Sequence, residues 1–228
     1  MTQSETRIEN RFFLNPLRTP SLVERLMNED WKISRQQPLD TLYICVESAN
    51  GVSWNPSVRA RARQPIGPDL FCNIPGEFML KNMLTGEKEL VIAPFLALQQ
   101  LQSYPDLTAL VGPYLRNKSL AATQFSLYSD RTHYVPQACF NERGQVTSFY
   151  PRITIDSNYT LNLFESGEHV DSLAFNWAKV EAKALDPDNL SRLGALLTEA
   201  SARKIETGFI VDQIDMLLAE RNIKISLA

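Results

Sequence analysis

The length, composition and charge of the chain exclude several classes of protein. The chain has 228 residues, of which 44% are hydrophobic and 21% charged, so it can bury a substantial core and is not disordered as a whole. A net charge of −3 excludes a surface built throughout for nucleic acid, while a local basic patch is compatible with it.

The first residues and the apolar runs predict a protein without membrane contact. The opening sequence, MTQSETRIENRFF, is polar and lacks the apolar segment of a signal peptide. The longest apolar run, Leu90–Leu98, contains Pro94 and falls far short of the about 20 residues that a membrane span needs. We therefore expect a cytoplasmic, or intracellular viral, location.

The cysteines predict reduced, buried thiols. Cys45, Cys72 and Cys139 lie far apart, are odd in number and show no CxxC or His-Cys spacing. We expect neither a disulfide framework nor a zinc site, and no other motif predicts a cofactor or a metal.

The N-terminal part predicts a helix and then a strand. Thr19 and Pro20 are typical of a helix start, the residues from Leu22 to Met27 supply an apolar stripe, and the helix is expected to end before Pro38. The run TLYICVES at positions 41–48 is apolar enough for a central strand.

A basic segment, residues 50–69, is the strongest candidate for a binding site. In an extended conformation Arg59, Arg61 and Arg63 project from one side, about 7 Å apart, and Trp54 lies nearby. Guanidinium groups suit phosphate and carboxylate, and an indole can stack on a base or on a partner side chain. The alternative is a solvated edge strand whose charges discourage pairing with other sheets.

The middle of the chain predicts a mixture of short strands and helices. Its predicted elements are a hairpin over 76–94 that turns at Thr85 and Gly86, helices from Pro94 and over 105–111, and strands over 120–128 and 133–140.

The stretch from Gln137 to Lys183 predicts an antiparallel meander. Apolar and polar residues alternate in its strand-like runs, which are separated by turn sequences at 141–144, 156–158 and 165–168. Such alternation is typical of a sheet with one face on a core.

The C-terminal part predicts a helical hairpin. Asp186 and Pro187 begin one helix, and a second begins at Thr207. The second helix carries an apolar stripe of Ile210, Ile214, Leu217 and Leu218. This stripe is expected either to pack on the chain's own sheet or to form a partner interface, and the tail IKISLA could add a last strand.

Catalytic motifs are missing from the sequence. Neither His133 nor His169 belongs to a Gly-x-Ser-x-Gly or HxxxH pattern, Cys139 has no marked partner, and the nine glycines form no phosphate-binding loop. These observations favour a protein that is not an enzyme, although carboxylate sites need no local motif.

The sequence as a whole predicts an α+β fold. We expect an antiparallel sheet of six or more strands over residues 1–185, with helices packed on one face, and a helical hairpin over residues 186–228. The predicted function is a non-catalytic assembly subunit or adaptor that contacts other proteins. The alternative is a nucleic-acid-binding subunit of a nucleoprotein complex that uses the arginine-rich residues 54–63.

Overall fold

The computed structural model describes residues 8–81, 87–205 and 209–227. The strands are β1 (Ile8–Leu14), β2 (Trp31–Ser48), β3 (Gly51–Ala62), β4 (Pro75–Lys81), β5 (Lys88–Pro94), β6 (Ser119–Leu120), β7 (Thr123–Pro136), β8 (Arg152–Glu165), β9 (Glu168–Ala174), β10 (Ala178–Ala184), β11 (Arg203–Lys204) and β12 (Ile225–Leu227). The helices are α1 (Thr19–Asn28), α2 (Pro105–Leu115), α3 (Pro187–Glu199) and α4 (Phe209–Glu220), with short 3₁₀ turns at Pro16–Arg18, Phe95–Leu98, Leu101–Ser103 and Gln137–Cys139.

The described strands form one sheet of twelve strands, in the order β11-β1-β10-β8-β7-β2-β3-β4-β5. Three strands lie off this path: β12 pairs with β3, β6 with β2 and β9 with β8. Among the strand pairs whose residue register is defined, β12 pairs with β3 in parallel and the others are antiparallel. The predicted α+β fold is therefore wrong, because the chain is mostly antiparallel sheet with few helices.

The error arose largely from strands that run through predicted breaks. The 18-residue β2 begins at Trp31, because α1 ends at Asn28 and Asp30 takes a left-handed φ of 59°. β8 passes through the predicted turn at 156–158, since Asn158 adopts a φ of 54° within the strand and donates a hydrogen bond to Asp130. Local turn signals were outweighed by pairing along the whole strand.

Several predicted elements are confirmed. α1 starts at Thr19, the run 41–48 lies within β2, and Asp186 caps α3 by accepting a hydrogen bond from the Asn189 backbone at 2.8 Å. β4 and β5 pair as an antiparallel hairpin, but the predicted turn at Thr85 and Gly86 lies outside the described residues. The tail adds a strand at home, where Ile225–Leu227 pairs with Val52–Trp54 of β3.

The chain divides into two compact units. Among the described residues, the first comprises 8–37, 129–159 and 175–205, and the second 38–81, 87–128, 160–174 and 209–227. α3 belongs to the first unit and α4 to the second, so the two helices do not form the predicted C-terminal hairpin.

The core of the first unit lies between one face of its strands and two helices. Phe12 and Leu14 of β1, Ile153 and Ile155 of β8, and Val180 and Ala182 of β10 pack against Leu22 and Leu26 of α1 and Leu193 and Leu197 of α3. These side chains are nearly inaccessible to solvent, so the opposite face of the same strands carries the polar residues.

The second unit has a separate core. Leu42, Ile44 and Val46 of β2 pack with Phe78, Phe95 and residues of α2. The alternate residue Tyr43 belongs to a different group, in which its ring and that of Phe125 lie 5.0 Å and 5.1 Å from the ring of Trp54. None of the helices in the described part of the chain is both long enough and apolar enough to cross a membrane.

Candidate functional site: a buried charge cluster

β10 positions a row of charged residues that is closed off from solvent. Its sequence, AKVEAKA, alternates small apolar residues with Lys179, Glu181 and Lys183, so the apolar set enters the core and the charged set lies on the other face. All seven residues of β10 are buried, including the three charged ones.

Strand pairing brings further charged residues beside this row. In the register of β1 with β10, Glu9 lies opposite Lys183 and Arg11 opposite Glu181. In the register of β10 with β8, Arg152, Thr154 and Asp156 lie opposite Lys183, Glu181 and Lys179, respectively. Arg131 and His133 of β7 bond to Asp156 and Thr154, which places them on the same face.

We call this set the charge cluster. All of its members belong to the first unit: Glu9, Arg11, Arg131, His133, Arg152, Thr154, Asp156, Lys179, Glu181 and Lys183.

Asp156 is the most enclosed carboxylate of the charge cluster, with no solvent-accessible side chain. Arg131 approaches it in a bidentate manner, with Nε 2.6 Å from Oδ1 and Nη2 2.7 Å from Oδ2. Lys179 Nζ lies 2.8 Å from Oδ2, and the Tyr159 hydroxyl donates to the same oxygen at 3.0 Å. Burial acts to raise the pKa of Asp156, but Lys179 and Arg131 outweigh it and lower the pKa to about 2.

Glu181 joins the two lysines of β10. Lys179 Nζ lies 2.9 Å and Lys183 Nζ 2.8 Å from its carboxylate oxygens, and Arg11 Nε is 3.7 Å away. Burial opposes ionisation here too, yet Lys179, Lys183 and Arg131 hold the pKa of Glu181 well below its usual range. The carboxylate is therefore ionised at neutral pH.

Glu9 completes the carboxylates of the charge cluster. It pairs with Lys183 at 3.4 Å and with Arg11. Burial tends to raise its pKa, but Lys183 and Arg11 prevail and the pKa of Glu9 is lowered.

Positive charge exceeds negative charge in the charge cluster. Its five cations are Arg11, Arg131, Arg152, Lys179 and Lys183, and its three carboxylates are those just described, which leaves an excess of two positive charges. His133 does not add to the excess at neutral pH, because burial and the nearby Arg152 and Arg131 lower its pKa to about 4. A site of this charge can accept an anion.

Within the described ranges, no group of three or more His, Cys, Asp or Glu side chains could hold a metal ion.

The arginines and the tryptophan predicted as a binding site lie in the second unit. Arg59 and Arg61 are half-buried on one face of β3, opposite Tyr43 and Thr41 of β2. Arg63 lies beyond the strand and bonds Glu77 through Nε and Nη2 at 3.1–3.3 Å. Anion binding by Arg59 and Arg61 stays a prediction.

Trp54 is fully buried and its indole is engaged. Its ring packs between Tyr43 and Phe125, and Nε1 donates to Asp215 of α4 at 3.2 Å. Stacking on a ligand would require the ring to leave this cluster.

The apolar stripe of α4 is partly buried within the chain. Ile214 and Leu218 are 0% and 1% exposed, and Ile210 and Leu217 are half-buried. Ile214 and Leu218 are therefore already covered by the chain itself.

The sequence analysis missed the charge cluster, although a signal was present. The segment Lys179–Lys183 alternates charges of opposite sign with apolar residues, a pattern that fits a strand buried on both faces only if its charges find partners. The partners come from Glu9, Arg131 and Asp156, which are distant in sequence, and only the strand registers bring them together.

Comparisons with known proteins find distant structural similarity. No protein-family model matches the chain, and no curated protein matches its sequence. Similar solved structures include a candidate adenylate cyclase from Vibrio parahaemolyticus, with 8% identity and a TM-score of 0.44 over 90% of this chain and 95% of that one. They also include a candidate adenylyl cyclase from Hippeastrum, described as having a dominant triphosphatase activity, with 11% identity and a TM-score of 0.43 over 92% of this chain and 96% of that one.

These findings bear on the predicted function. Both solved structures are described as candidate cyclases, so the predicted non-catalytic subunit or adaptor, and the inference that the protein is not an enzyme, are not retained. At such low identity the likeness concerns the course of the backbone and assigns no role to any residue of this chain.

Proposed function

We propose that the charge cluster binds a small anion with two or more phosphate groups, and that the protein is an enzyme that hydrolyses a phosphoanhydride bond in it. The observation that carries this proposal is the excess of two positive charges among eight ionised residues on one largely buried sheet face.

A structural role alone would not require this excess. Burying a charge costs several kcal/mol unless a partner compensates it, so a purely structural network is most stable when its charges balance. Here the three carboxylates are each shared between cations, as Asp156 is between Arg131 and Lys179. An anionic ligand would add a further counter-charge to these shared cations.

The types of cation favour phosphate. Guanidinium groups present several donors to the oxygens of phosphate, and lysine adds a compact charge. Successive rows of the charge cluster lie two residues apart along each strand, about 6.6 Å, so neighbouring rows can contact neighbouring phosphates of one ligand.

The same arrangement suits phosphoanhydride hydrolysis. Phosphoryl transfer needs little covalent help from the protein, and its rate depends mainly on positioning and on stabilising charge at the phosphoryl oxygens. Asp156 already holds Arg131 and Lys179 in place. Because these cations are held in position before the ligand binds, they need little reorganisation during the reaction.

Calorimetric titration with inorganic tripolyphosphate, pyrophosphate and orthophosphate tests the proposal. We expect the affinity to rise with the number of phosphates in the ligand. In a separate assay, we expect the protein to release phosphate from tripolyphosphate in the presence of Mg²⁺. The double variant Arg152→Met and Lys183→Met removes the excess charge and should weaken tripolyphosphate binding by about tenfold or more.

The matched control is Lys32→Met with Lys204→Met. Both lysines are exposed and belong to the first unit, so this variant loses the same total charge outside the charge cluster. Equal weakening by the two double variants, or no binding of tripolyphosphate by the wild type, would contradict the proposal. Circular dichroism verifies that each variant is folded.

A further inference from the structure

His133 lies within the charge cluster and shares its face with Arg131, two residues earlier on β7. Its Nδ1 is 2.9 Å from Thr154 Oγ1, which holds the ring against β8. Its backbone carbonyl accepts a hydrogen bond from Ser34 Oγ of β2 at 3.3 Å. The first contact orients the half-buried imidazole, and the second holds the backbone of His133 beside β2.

The charged groups around the ring are mostly cations. Arg152 and Asp156 face it from β8, Arg131 from β7 and Lys183 from β10. Burial and the three cations disfavour a protonated ring, and only Asp156 favours it, so the pKa of His133 falls to about 4. The ring is neutral while the charge cluster is free of ligand.

We infer that His133 takes up a proton when the charge cluster binds a phosphate anion, and so becomes an additional hydrogen-bond donor to that anion. This inference rests on the proposed function. The proton comes from bulk water and is taken by the ring nitrogen that lacks one; in the resulting imidazolium both ring nitrogens donate, Nδ1 to Thr154 Oγ1 and Nε2 to the anion.

The physical reason is electrostatic. A phosphate group beside Arg131, Arg152 and Lys183 cancels much of the positive potential that keeps the imidazole neutral, and it adds a negative charge that favours imidazolium. Proton uptake and anion binding then support each other, and by linkage the anion binds more tightly as the pH falls from about 7 towards the ring pKa.

Nuclear magnetic resonance of the histidine rings tests the inference directly. The chain has only two histidines, and His169 of the second unit serves as an internal reference. In the free protein the ring of His133 should titrate at about pH 4. Saturating pyrophosphate should move the His133 titration upward, and the signals of the His169 ring reveal any change that is not specific to the charge cluster.

A variant provides a second readout. His133→Gln keeps a polar side chain that cannot be protonated, and His169→Gln is its control. In calorimetry at pH about 5.5, in buffers of different ionisation enthalpy, we expect wild type and His169→Gln to take up more protons per bound pyrophosphate than His133→Gln. Protons that pyrophosphate itself gains or loses on binding contribute equally for each protein, so they drop out when the proton uptake of two proteins is compared.

The outcomes separate the two proposals. If pyrophosphate binds and the His133 titration stays in place, or if His133→Gln takes up as many protons as the wild type, the inference is wrong and the proposed function stands. If the wild type binds neither pyrophosphate nor tripolyphosphate, the proposed function fails and the inference falls with it.

Discussion

At the scale of single residues, Asp156 orders its part of the charge cluster. One carboxylate without solvent exposure accepts bonds from Arg131, Lys179 and Tyr159. The two cations are thereby held at fixed positions two strands apart. Without the carboxylate they would repel each other in a poorly solvated site.

Replacing Asp156 with asparagine should therefore destabilise the protein strongly. The variant leaves Arg131 and Lys179 without their shared counter-charge, and breaking a buried ion pair costs about 3–5 kcal/mol. Urea unfolding measures the loss in the free energy of unfolding. The exposed Asp188→Asn in α3 is the matched control and should cost less than about 1 kcal/mol. Similar losses in both variants would show that Asp156 is not an essential counter-charge.

His133 should make stability depend on pH in mildly acidic solution. Its pKa is about 4 in the folded protein and about 6.5 in the unfolded chain, so the unfolded chain binds more protons between these values. The free energy of unfolding should fall as the pH decreases through this window and rise again on return to neutral pH.

Unfolding of His133→Gln and of wild type at several pH values measures this contribution. The variant should lose less stability than wild type between pH about 6.5 and about 4. His169→Gln should follow the wild type. Parallel curves for His133→Gln and wild type would show that His133 is not the group that titrates.

At the scale of elements, β10 and α4 show how far the sequence could be interpreted. Helix caps, the β4–β5 hairpin and the helical periodicity of α4 depend on near neighbours, and each was predicted before the fold was known. The face that an element buries depends on its partners. The stripe of α4 was therefore given two alternatives, and only the structure shows Ile214 and Leu218 buried.

The pairing of residues within the charge cluster was unpredictable for the same reason. Arg131 and Asp156 lie 25 residues apart, and the Glu9–Lys183 pair joins the first described strand to one near the C-terminal part. Strand registers over such distances are not encoded in any local motif. The long β8 also ran through a turn sequence that local rules could not discount.

The packing of α4 leads to a prediction about its apolar stripe. Ile214→Ala should lower the free energy of unfolding by about 2–5 kcal/mol, because the side chain is fully buried. Met216 lies two residues away on the same helix and is 48% exposed. Met216→Ala should therefore change the free energy of unfolding by about 0.5 kcal/mol or less. Thermal or urea unfolding of both variants measures these changes. If α4 were instead an interface helix, Ile214→Ala would leave the stability of the isolated protein unchanged.

At the scale of the whole molecule, charge is distributed unevenly. The charge cluster contributes +2 to a chain of net charge −3, so the remaining residues carry −5. Lys179 and Lys183 are buried, and Arg11, Arg131 and Arg152 are half-buried. A ligand must therefore be small enough to reach cations on the inner face of a strand.

This distribution predicts discrimination between anions by size. Tripolyphosphate should bind to the charge cluster, and a short DNA duplex should not compete with it there, because the remainder of the chain is net negative and a duplex is too wide to reach buried side chains. Competition calorimetry with a fixed amount of tripolyphosphate and increasing duplex, at low and at moderate salt, measures this. The Arg59→Ala, Arg61→Ala and Arg63→Ala triple variant serves as control, since it removes the basic row of the second unit and leaves the charge cluster intact. Displacement of tripolyphosphate by the duplex from both proteins would show that the cations of the charge cluster are open to a long polyanion, and the argument from burial would then be wrong.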